Sequence, residues 1–574
     1  MRGELRKAIK EVLKKLGIVK PPHILIAHTK NLRNGDYYTN ITHKIPSSNP
    51  NELAERIVQE LKKVEVKGVA SIRPVAGFIN FYLSPSELAS SISKANKEGS
   101  GDKKNKWGTT TKLRNKKIMV EFTDPNPFKE FHIGHLMSNA IGESISRLLQ
   151  FSGADVKRAN YQGDVGLHVA KAIYAYKTHP PTVDNEIVKW GLAYKIGNDL
   201  YESNEEAKKE IDKINRQVYE HDKEISEIYN AGRKVSLDYF ETIYQKLGME
   251  EREHFGEKRH FDYYFFESAS WEIGKALVQQ YTPAVFEESE RAFVFHGEKF
   301  DPSLHTRVFV TSKGLPTYEA KELGLLKSKI DKWGWNFDES ITITGNEQQE
   351  YFRVVLAAAK QIEELRDAAN KTKHVVHGMM RFADGKMSSR TGNVVTALGL
   401  LQELIEVARE RGKESRSEDS EKLALHVALA AFKYQILKQA SGKDIIFDRE
   451  RALSLEGDSG PYLQYAHARA QQIVEKAKEQ GVTSKVDANA TPDNLTRLLH
   501  RFPEIVEYAT SLREPHLLTN YLLEFAALFN SWYAQVHVLD SSADSPHKVA
   551  LVDAVRRTLK NGLWILGIPA PERM

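Results

Sequence analysis

Two histidines and a glycine, His132, Gly134 and His135, occupy the point where a predicted strand gives way to a predicted helix. The strand is the short apolar run at 117–122, and the helix is the periodic apolar segment at 136–151. Free N–H groups and the helix dipole attract phosphate to a helix start. Imidazoles add donors, and Gly134 lets a flat ring approach the backbone. The pattern predicts a phosphate site, although such histidines more often cap the helix or pack against it.

A second candidate motif lies far downstream, in the loop G-K-M-S-S-R-T-G at 385–392. A lysine in a loop rich in glycine and serine can reach a polyphosphate. Taken alone, the motif is more typical of an ordinary exposed loop. The candidate phosphate ligands in this loop are Lys386, Met387, Ser388, Ser389 and Arg390.

Composition limits the protein classes that fit. The chain has 574 residues, enough for several domains, with 41% hydrophobic and 28% charged residues. Its net charge of +5 suits a polyanionic partner without establishing one. The absence of cysteine excludes disulfides and cysteine-ligated zinc. No apolar run is long enough to span a bilayer, and Glu4 and Glu11 in the basic first helix argue against a transit peptide, so we predict a cytoplasmic protein.

The ordered pair of motifs, H-I-G-H at 132–135 and K-M-S-S-R at 386–390, resembles the class I aminoacyl-tRNA synthetases. Further segments resemble the arginyl-tRNA synthetases, in that family's order and over nearly the whole chain. These segments are G-F-I-N at 77–80, E-F-T-D-P-N-P-F-K-E-F-H at 121–132, L-P-T-Y-E-A-K-E-L-G at 315–324, D-S-G-P-Y-L-Q-Y-A-H-A-R-A at 458–470 and A-P-E-R-M at 570–574.

The predicted fold class is multidomain, α/β followed by all-α. We predict an N-terminal α/β module at 1–98, a basic linker at 99–116, a Rossmann-like catalytic domain at 117–398 and a helical bundle at 399–574. A charged helical insertion at about 186–300 interrupts the catalytic domain. We expect the linker to be a solvated tether. The resemblance implies that the N-terminal module contacts the tRNA elbow and that the bundle binds the anticodon.

Three residues are candidate tRNA contacts. Phe78 and Asn80 lie on a predicted strand and match the family's contact strand; aromatic rings stack on splayed bases, and an amide can hydrogen-bond to their edges. The alternative is a hydrophobic sheet edge. Tyr462 lies in the predicted bundle, where a core position is equally compatible with the sequence.

The resemblance implies an arginine pocket, and the chemistry of arginine limits what can build it. A guanidinium is a planar fork of five donors that stays charged, so it needs carboxylates and planar acceptors in fixed places. The resemblance assigns Glu121, Tyr318 and Glu322 to the guanidinium, and Asn126 and Gln348 to the amino-acid end. Each residue alone is more typical of surface polarity, but together they follow strands, where open α/β sheets bind ligands.

Two positions in this pocket depart from the family pattern. Glu322 stands where the family usually has aspartate, so its carboxylate reaches one methylene further. Asp124, also a candidate arginine ligand, stands where serine is common. The departures leave the pocket's charge as expected and put its geometry in question.

The implied reaction needs little acid–base chemistry. An arginine carboxylate attacks the α-phosphate of ATP, so catalysis rests on positioning and charge stabilisation. His132, His135, Lys129 and Lys386 are the candidate catalytic residues, and the division of labour between the two lysines is open. We predict no protein-bound metal beyond Mg²⁺ carried on ATP.

The predicted function is therefore an arginine–tRNA ligase with tRNA(Arg), L-arginine and ATP as partners, acting as a monomer away from membranes. Two alternatives stay open. One is a tRNA-binding paralogue without catalysis, which damaged motifs would favour. The other is a class I synthetase for another amino acid, such as cysteine or glutamate, against which the A-P-E-R-M ending argues.

Overall fold

The structure is a computed structural model that describes residues 1–574 except 47–48, 98–105, 255, 332–335, 384–395, 413–418 and 541. The predicted phosphate loop with Lys386, Met387, Ser388, Ser389 and Arg390 lies outside the described residues. In the described ranges, none of the helices combines the length and apolar character needed to cross a membrane.

The N-terminal part of the chain forms an antiparallel sheet covered by helices. Its sheet has the order β1-β2-β4-β3, and the helices pack their apolar stripes on one face of it. Leu5, Ile9 and Val12 are buried at helical spacing in the first helix, as its sequence predicts. Its elements are α1 Arg2–Lys15, β1 Ala27–His28, β2 Tyr37–Thr39, α2 Pro50–Leu61, β3 Val69–Val75, β4 Phe78–Leu83 and α3 Pro85–Lys97.

The middle of the chain holds a parallel sheet with helices on both faces and a helical insertion. The predicted bounds of this insertion, about 186–300, are too long, because its helices end at Lys246 and Tyr263–Phe266 is a strand of the parallel sheet. The elements of this part of the chain, in order, are β5 Lys117–Glu121, α4 Ile133–Phe151, β6 Asp155–Gln162, α5 Leu167–Thr178, α6 Glu186–Ser203, α7 Glu205–Tyr219, α8 Lys223–Lys246, β7 Arg252–His254, β8 Glu257–Arg259, β9 Tyr263–Phe266, α9 Glu267–Gln280, β10 Glu287–Ser289, β11 Ala292–His296, β12 Thr306–Val310, α10 Tyr318–Asp331, β13 Glu339–Gly345, α11 Gln349–Gln361, α12 Arg366–Lys371, β14 Thr372–His377 and β15 Met380–Phe382.

The order of the parallel sheet, β14-β13-β5-β6-β9, determines where a ligand can bind. From β5 the chain moves outward on one side through β6 and β9, and it later returns to β13 on the other side. Helices leave this point in opposite directions, which opens a crevice at the carboxyl ends of β5 and β13. Ile118, Met119 and Val120 are buried in β5, as expected for a strand covered on both faces.

The C-terminal part is a helical bundle. Its helices bury stripes of leucine, alanine and aromatic residues in the core that also receives α4. The elements are α13 Ala397–Arg411, α14 Ser420–Leu437, β16 Ile445–Phe447, α15 Arg449–Ala452, α16 Gly460–Glu479, α17 Asn494–Leu512, α18 Pro515–Gln535 and α19 Ser545–Ile565.

The prediction that residues 99–116 form a solvated tether is wrong for the second half of this segment. Trp107 is only 3% exposed, and its indole Nε1 donates a hydrogen bond of 2.9 Å to Thr558 Oγ1 in α19. The backbone N–H groups of Thr110 and Leu113 donate to carbonyls at the end of α4. Burial of the indole between two modules stabilises one fixed path for this segment of the chain. This effect outweighs the preference of the basic side chains for water. Lysines at 103 and 104 lie outside the described residues.

The N-terminal sheet is also seated directly on α17 of the bundle. Tyr37 donates its hydroxyl hydrogen to Glu504 Oε1 at 3.0 Å, and Arg497 pairs with Asp36 at 2.5 Å. Arg2 in α1 pairs with the same Glu504 carboxylate. Hydrogen bonds and ion pairs enclosed in this way need a specific alignment of both partners, so they fix the relative position of the two surfaces.

Candidate active site

A cavity of about 610 Å³ opens at the carboxyl ends of β5 and β13, beside the start of α4. It is of the size that holds small-molecule ligands. The sequence-predicted residues that line it are Glu121, Asp124, Asn126, His132, Gly134, His135, Tyr318, Glu322 and Gln348. The fold thus brings together residues that are far apart in sequence, at the edge of the sheet where they were expected.

His132 and His135 stand at the start of α4, as predicted, and they also cap it. His132 is the N-cap residue; its Nδ1 accepts from Gly134 N at 3.2 Å, and His135 Nδ1 accepts from His132 N at 3.2 Å. Because both Nδ1 atoms accept, we assign the ring proton to Nε2 in each case. The rings are stacked, with centroids 3.6 Å apart. The capping leaves two neighbouring Nε2–H donors.

Both imidazoles are neutral near pH 7. Burial lowers the pKa of His135 well below its usual range, helped by His132 and the Lys129 ammonium. Partial removal from water, and then Lys129, lowers the pKa of His132. The pair therefore offers hydrogen bonds without positive charge. Lys129 is the cation next to it, with Nζ 4.3 Å from the Tyr194 ring centre and a pKa that its partly buried position lowers.

The other side of the cavity is strongly acidic. Glu121, Asp124 and Glu322 line it, and Lys329 Nζ lies 2.7 Å from Glu121 Oε2. Burial and the Glu121 charge raise the pKa of Glu322 to about 8, although Lys329 opposes the shift. The same two causes raise the pKa of Asp124 well above its usual range. A further cation that enters this side of the cavity would favour the ionised form of these carboxyl groups.

Lys329 is not among the residues predicted from the sequence. It lies seven residues after Glu322 in α10, so both side chains occupy the same face of the helix. That spacing was the one sequence signal that could have linked Lys329 to the pocket. It could not be used without knowing that α10 packs beside β5.

Asp124 lies in the loop after β5, and a backbone N–H group of β6 holds its side chain in place. Tyr161 N in β6 donates a hydrogen bond of 2.7 Å to Asp124 Oδ1. Thr123 and Asp124 have φ values of 81° and 44°, a region that residues with side chains rarely adopt. Such conformations persist where the surroundings fix them, so this loop has a defined shape beside the cavity.

Asn126, Tyr318 and Gln348 surround the cavity mouth. Asn126 is half-buried against Gly163, where an added Cβ would come within 2.3 Å of Asn126 Oδ1. Tyr318, the first residue of α10, is 62% exposed, and Gln348 is exposed before α11. Their side chains are thus placed to meet a ligand entering the cavity.

Two further ion pairs border the cavity and were missed by sequence reasoning. Lys321 pairs with Glu267 at 2.6 Å, and both side chains are buried. Lys321 Nζ also lies 5.2 Å from the ring centre of Tyr318. Arg307 pairs with Glu319 at 3.1 Å. Lys321 and Glu267 lie 54 residues apart and Arg307 and Glu319 lie 12 apart, and no local pattern marks either pair.

The candidate tRNA contacts differ in accessibility. Phe78 is 36% exposed and packs on Tyr38 and His43, with ring centroids 5.7 Å and 4.9 Å away. Asn80 lies on the same face of β4 but is only 4% exposed. Tyr462, in the first turn of α16, is half-buried against the bundle core. Phe78 is therefore the most accessible of the three.

The fold is that of a class I aminoacyl-tRNA synthetase. A family model described as "tRNA synthetases class I (R), catalytic domain" matches residues 102–449. Models described as "Arginyl tRNA synthetase N terminal domain" and "DALR anticodon binding domain" match residues 3–83 and 463–574. The chain belongs to the arginyl-tRNA synthetase family, which confirms the resemblance and the fold class predicted from the motifs.

Relatives and solved structures agree with this assignment. The arginine–tRNA ligase of Borreliella burgdorferi is 30% identical over 559 residues, covering 91% of this chain and 89% of that protein. The Treponema denticola ligase is 30% identical over 557 residues, covering 92% and 90%. The Thermus thermophilus arginyl-tRNA synthetase structure matches with a TM-score of 0.81 and 26% identity over 100% of both chains.

Proposed function

We propose that this protein is an arginine–tRNA ligase. It activates L-arginine with ATP to arginyl-adenylate and transfers the arginyl group to the 3′-terminal adenosine of tRNA(Arg). The observation that supports this most is the charge arrangement of one cavity. A pocket with three carboxylates and one resident ammonium lies next to a pair of uncharged imidazole donors. Such a cavity suits a cationic amino acid on one side and phosphates on the other.

The first chemical step makes the mixed anhydride. An arginine carboxylate oxygen attacks the α-phosphorus of ATP in line, and pyrophosphate leaves. The Nε2–H groups of His132 and His135 donate to phosphate oxygens as charge develops on them, and Lys129 adds a nearby positive charge. Lys386 is proposed to accompany the departing phosphates.

Magnesium enters this proposal as the ATP complex. In the described part of the chain, no group of three or more histidine or acidic side chains is arranged to hold a metal ion. The proposed Mg²⁺ takes its ligands mainly from phosphate oxygens and water.

The guanidinium occupies the acidic side of the cavity. Glu121 and Glu322 supply the negative charge, and Tyr318 covers the group from the mouth of the cavity. Asn126 and Gln348 hold the amino-acid end, which orients the carboxylate toward the imidazole pair. Because a buried polar pocket left unpaired is costly, analogues without a guanidinium are rejected.

Transfer requires that tRNA span the molecule. The exposed Phe78 face of the N-terminal sheet suits the tRNA elbow, since an aromatic ring can stack on a splayed base. In the bundle, a cavity of about 730 Å³ is lined by Tyr465, Arg469 and Tyr533, which suit a flipped-out anticodon base. The 2′-hydroxyl of the terminal adenosine then attacks the adenylate carbonyl, and AMP leaves.

Arginine-dependent ATP–pyrophosphate exchange is the direct test of this proposal. We expect exchange with arginine plus tRNA(Arg), and weaker exchange when tRNA is omitted. Lysine and citrulline serve as controls, because the first lacks the planar fork and the second lacks the charge. Exchange with a different amino acid, and none with arginine plus tRNA(Arg), would reject the proposal. Light scattering would check the further proposal of a monomer, and cell fractionation that of a cytoplasmic location.

The affinity for arginine is expected to increase with pH. The raised pKa of Glu322, about 8, means that below this pH the carboxyl must release a proton before it pairs with the guanidinium. The Kd for arginine should therefore fall by up to roughly tenfold per pH unit as pH rises toward 8, and then level off. Titration calorimetry at pH 6.5 and 8.5 measures this change. The Glu322→Gln variant is the matched control and should lose most of the slope; an equal slope in both proteins would contradict the assignment to Glu322.

A further inference from the structure

Among the described residues, Lys329 is the only cation within ion-pair distance of Glu121, Asp124 or Glu322, the carboxyl groups on the acidic side of the cavity. It lies in α10, two helical turns after Glu322, and reaches Glu121 at the end of β5. The side chains of Lys329 and Glu121 are 3% and 2% exposed. An ion pair enclosed to this degree is in a fixed place, since neither partner can exchange the other for water.

The ion pair between Lys329 and Glu121 is closest at one oxygen of the carboxylate. Lys329 Nζ lies 2.7 Å from Oε2, and this buried oxygen has no aligned hydrogen-bond donor among the described residues. The Lys329 ammonium is therefore the group that fixes the position of Glu121 Oε2. Because Glu121 also lines the cavity, Oε1 is the oxygen left to a ligand.

The Lys329 ammonium also affects the charge balance of the pocket. Without Lys329, Glu121 would share the cavity with Asp124 and Glu322 and have no positive partner. Like charges crowded in a desolvated site take up protons rather than stay ionised. With Lys329 present, Glu121 has a counter-charge before substrate arrives, whereas Glu322 gains its counter-charge only when the guanidinium binds and the carboxyl releases its proton.

We propose that Lys329 is a positioning residue for arginine recognition, whose ammonium fixes Glu121 Oε2 so that Oε1 faces the guanidinium. The inference rests on the proposed function. The guanidinium then bridges a pre-oriented carboxylate on β5 and a second carboxylate, Glu322, on α10. Glu322 and Lys329 share one helix face, so α10 sets the position of both.

The test separates positioning from simple structural support. Lys329→Met removes the ammonium, and we expect KM for arginine to rise by roughly 10- to 100-fold, the scale of breaking a buried charged pair. The KM for ATP should change less than about twofold, because the imidazole pair is not in contact with Lys329. The Tm should fall because Glu121 is left without a partner.

A double variant and two single variants make the result specific. Glu121→Gln combined with Lys329→Met replaces the ion pair by neutral groups of similar size, so we expect the Tm to recover while KM for arginine stays high. Lys329→Arg keeps the charge and should hold KM for arginine within about threefold of the wild type. Lys327→Met is the matched control, because Lys327 lies on the same helix but pairs with Asp331 and Glu364.

Two outcomes would overturn the inference. One is a Lys329→Met protein with an unchanged KM for arginine. The other is a double variant whose KM for arginine returns to the wild-type value, which would make the pair purely structural. If Lys329→Met does not fold, Lys329→Gln, which removes the charge and keeps a polar side chain, is measured in its place, with the same expected rise in KM for arginine. A wild-type protein that shows no exchange with arginine would instead reject the proposed function.

Discussion

Replacing Glu322 with glutamine is expected to raise KM for arginine by roughly 30-fold or more, the scale of truncating one member of a buried charged pair. The Glu322 carboxylate lines the acidic side of the cavity, and no hydrogen bond or ion pair from a described residue occupies it. The substrate guanidinium is therefore its proposed partner. Glutamine keeps the size and removes the charge, so KM for ATP should be nearly unchanged. Steady-state pyrophosphate exchange with tRNA(Arg) measures both constants.

Glu322→Asp is the companion variant, because it restores the side chain that the family usually has at this position. If the backbone of α10 is placed as in other members, the shorter carboxylate should be tolerated or should improve binding. An unchanged KM for arginine in Glu322→Gln would show that Glu121 holds the guanidinium alone, and the role given to α10 would then be wrong.

Replacing His135 with alanine is expected to lower kcat for adenylate formation by roughly 10²-fold or more, the scale of losing one preorganised donor. Its Nε2–H faces the cavity while its Nδ1 caps α4, so the variant loses a hydrogen bond that strengthens as phosphate charge develops. The Kd for arginine should barely change. Rapid-quench measurement of adenylate formation, together with calorimetric arginine binding, separates the two effects.

His135→Asn is a useful control, because its amide can accept from His132 N and so retain part of the cap. We expect it to fold like the wild type and to remain slow in adenylate formation. A collapse of arginine binding in His135→Ala, or normal kcat in either variant, would mean that the histidine serves only the helix start.

The position of the histidine pair could be predicted from sequence because it depends on local signals. A short apolar run, a turn and a long periodic segment define β5 and α4 without knowledge of distant residues. The histidine spacing then places both rings in the first turn. The sheet edge followed from the same reasoning, since side chains that follow parallel strands gather at one edge.

The electrostatic details of the site could not be predicted in this way. Lys329 meets Glu121 only because α10 packs beside β5, and Lys321 meets Glu267 across two helices. The error at Trp107 has the same origin, because a basic, glycine-rich composition gives no sign of a distant hydrogen-bond partner in α19. Such contacts are decided by tertiary packing, which overrides local composition.

The contact between the N-terminal module and α17 limits how domains can be exchanged between relatives. Asp36 and Arg497 come from opposite ends of the chain, as do Arg2 and Glu504, and the Asp36 carboxylate is only 3% exposed. A chimaera that takes residues 1–97 from one relative and the bundle from another would need to carry both members of each pair. Otherwise it buries an unpaired charge at the junction, so these positions should be grafted together or left together.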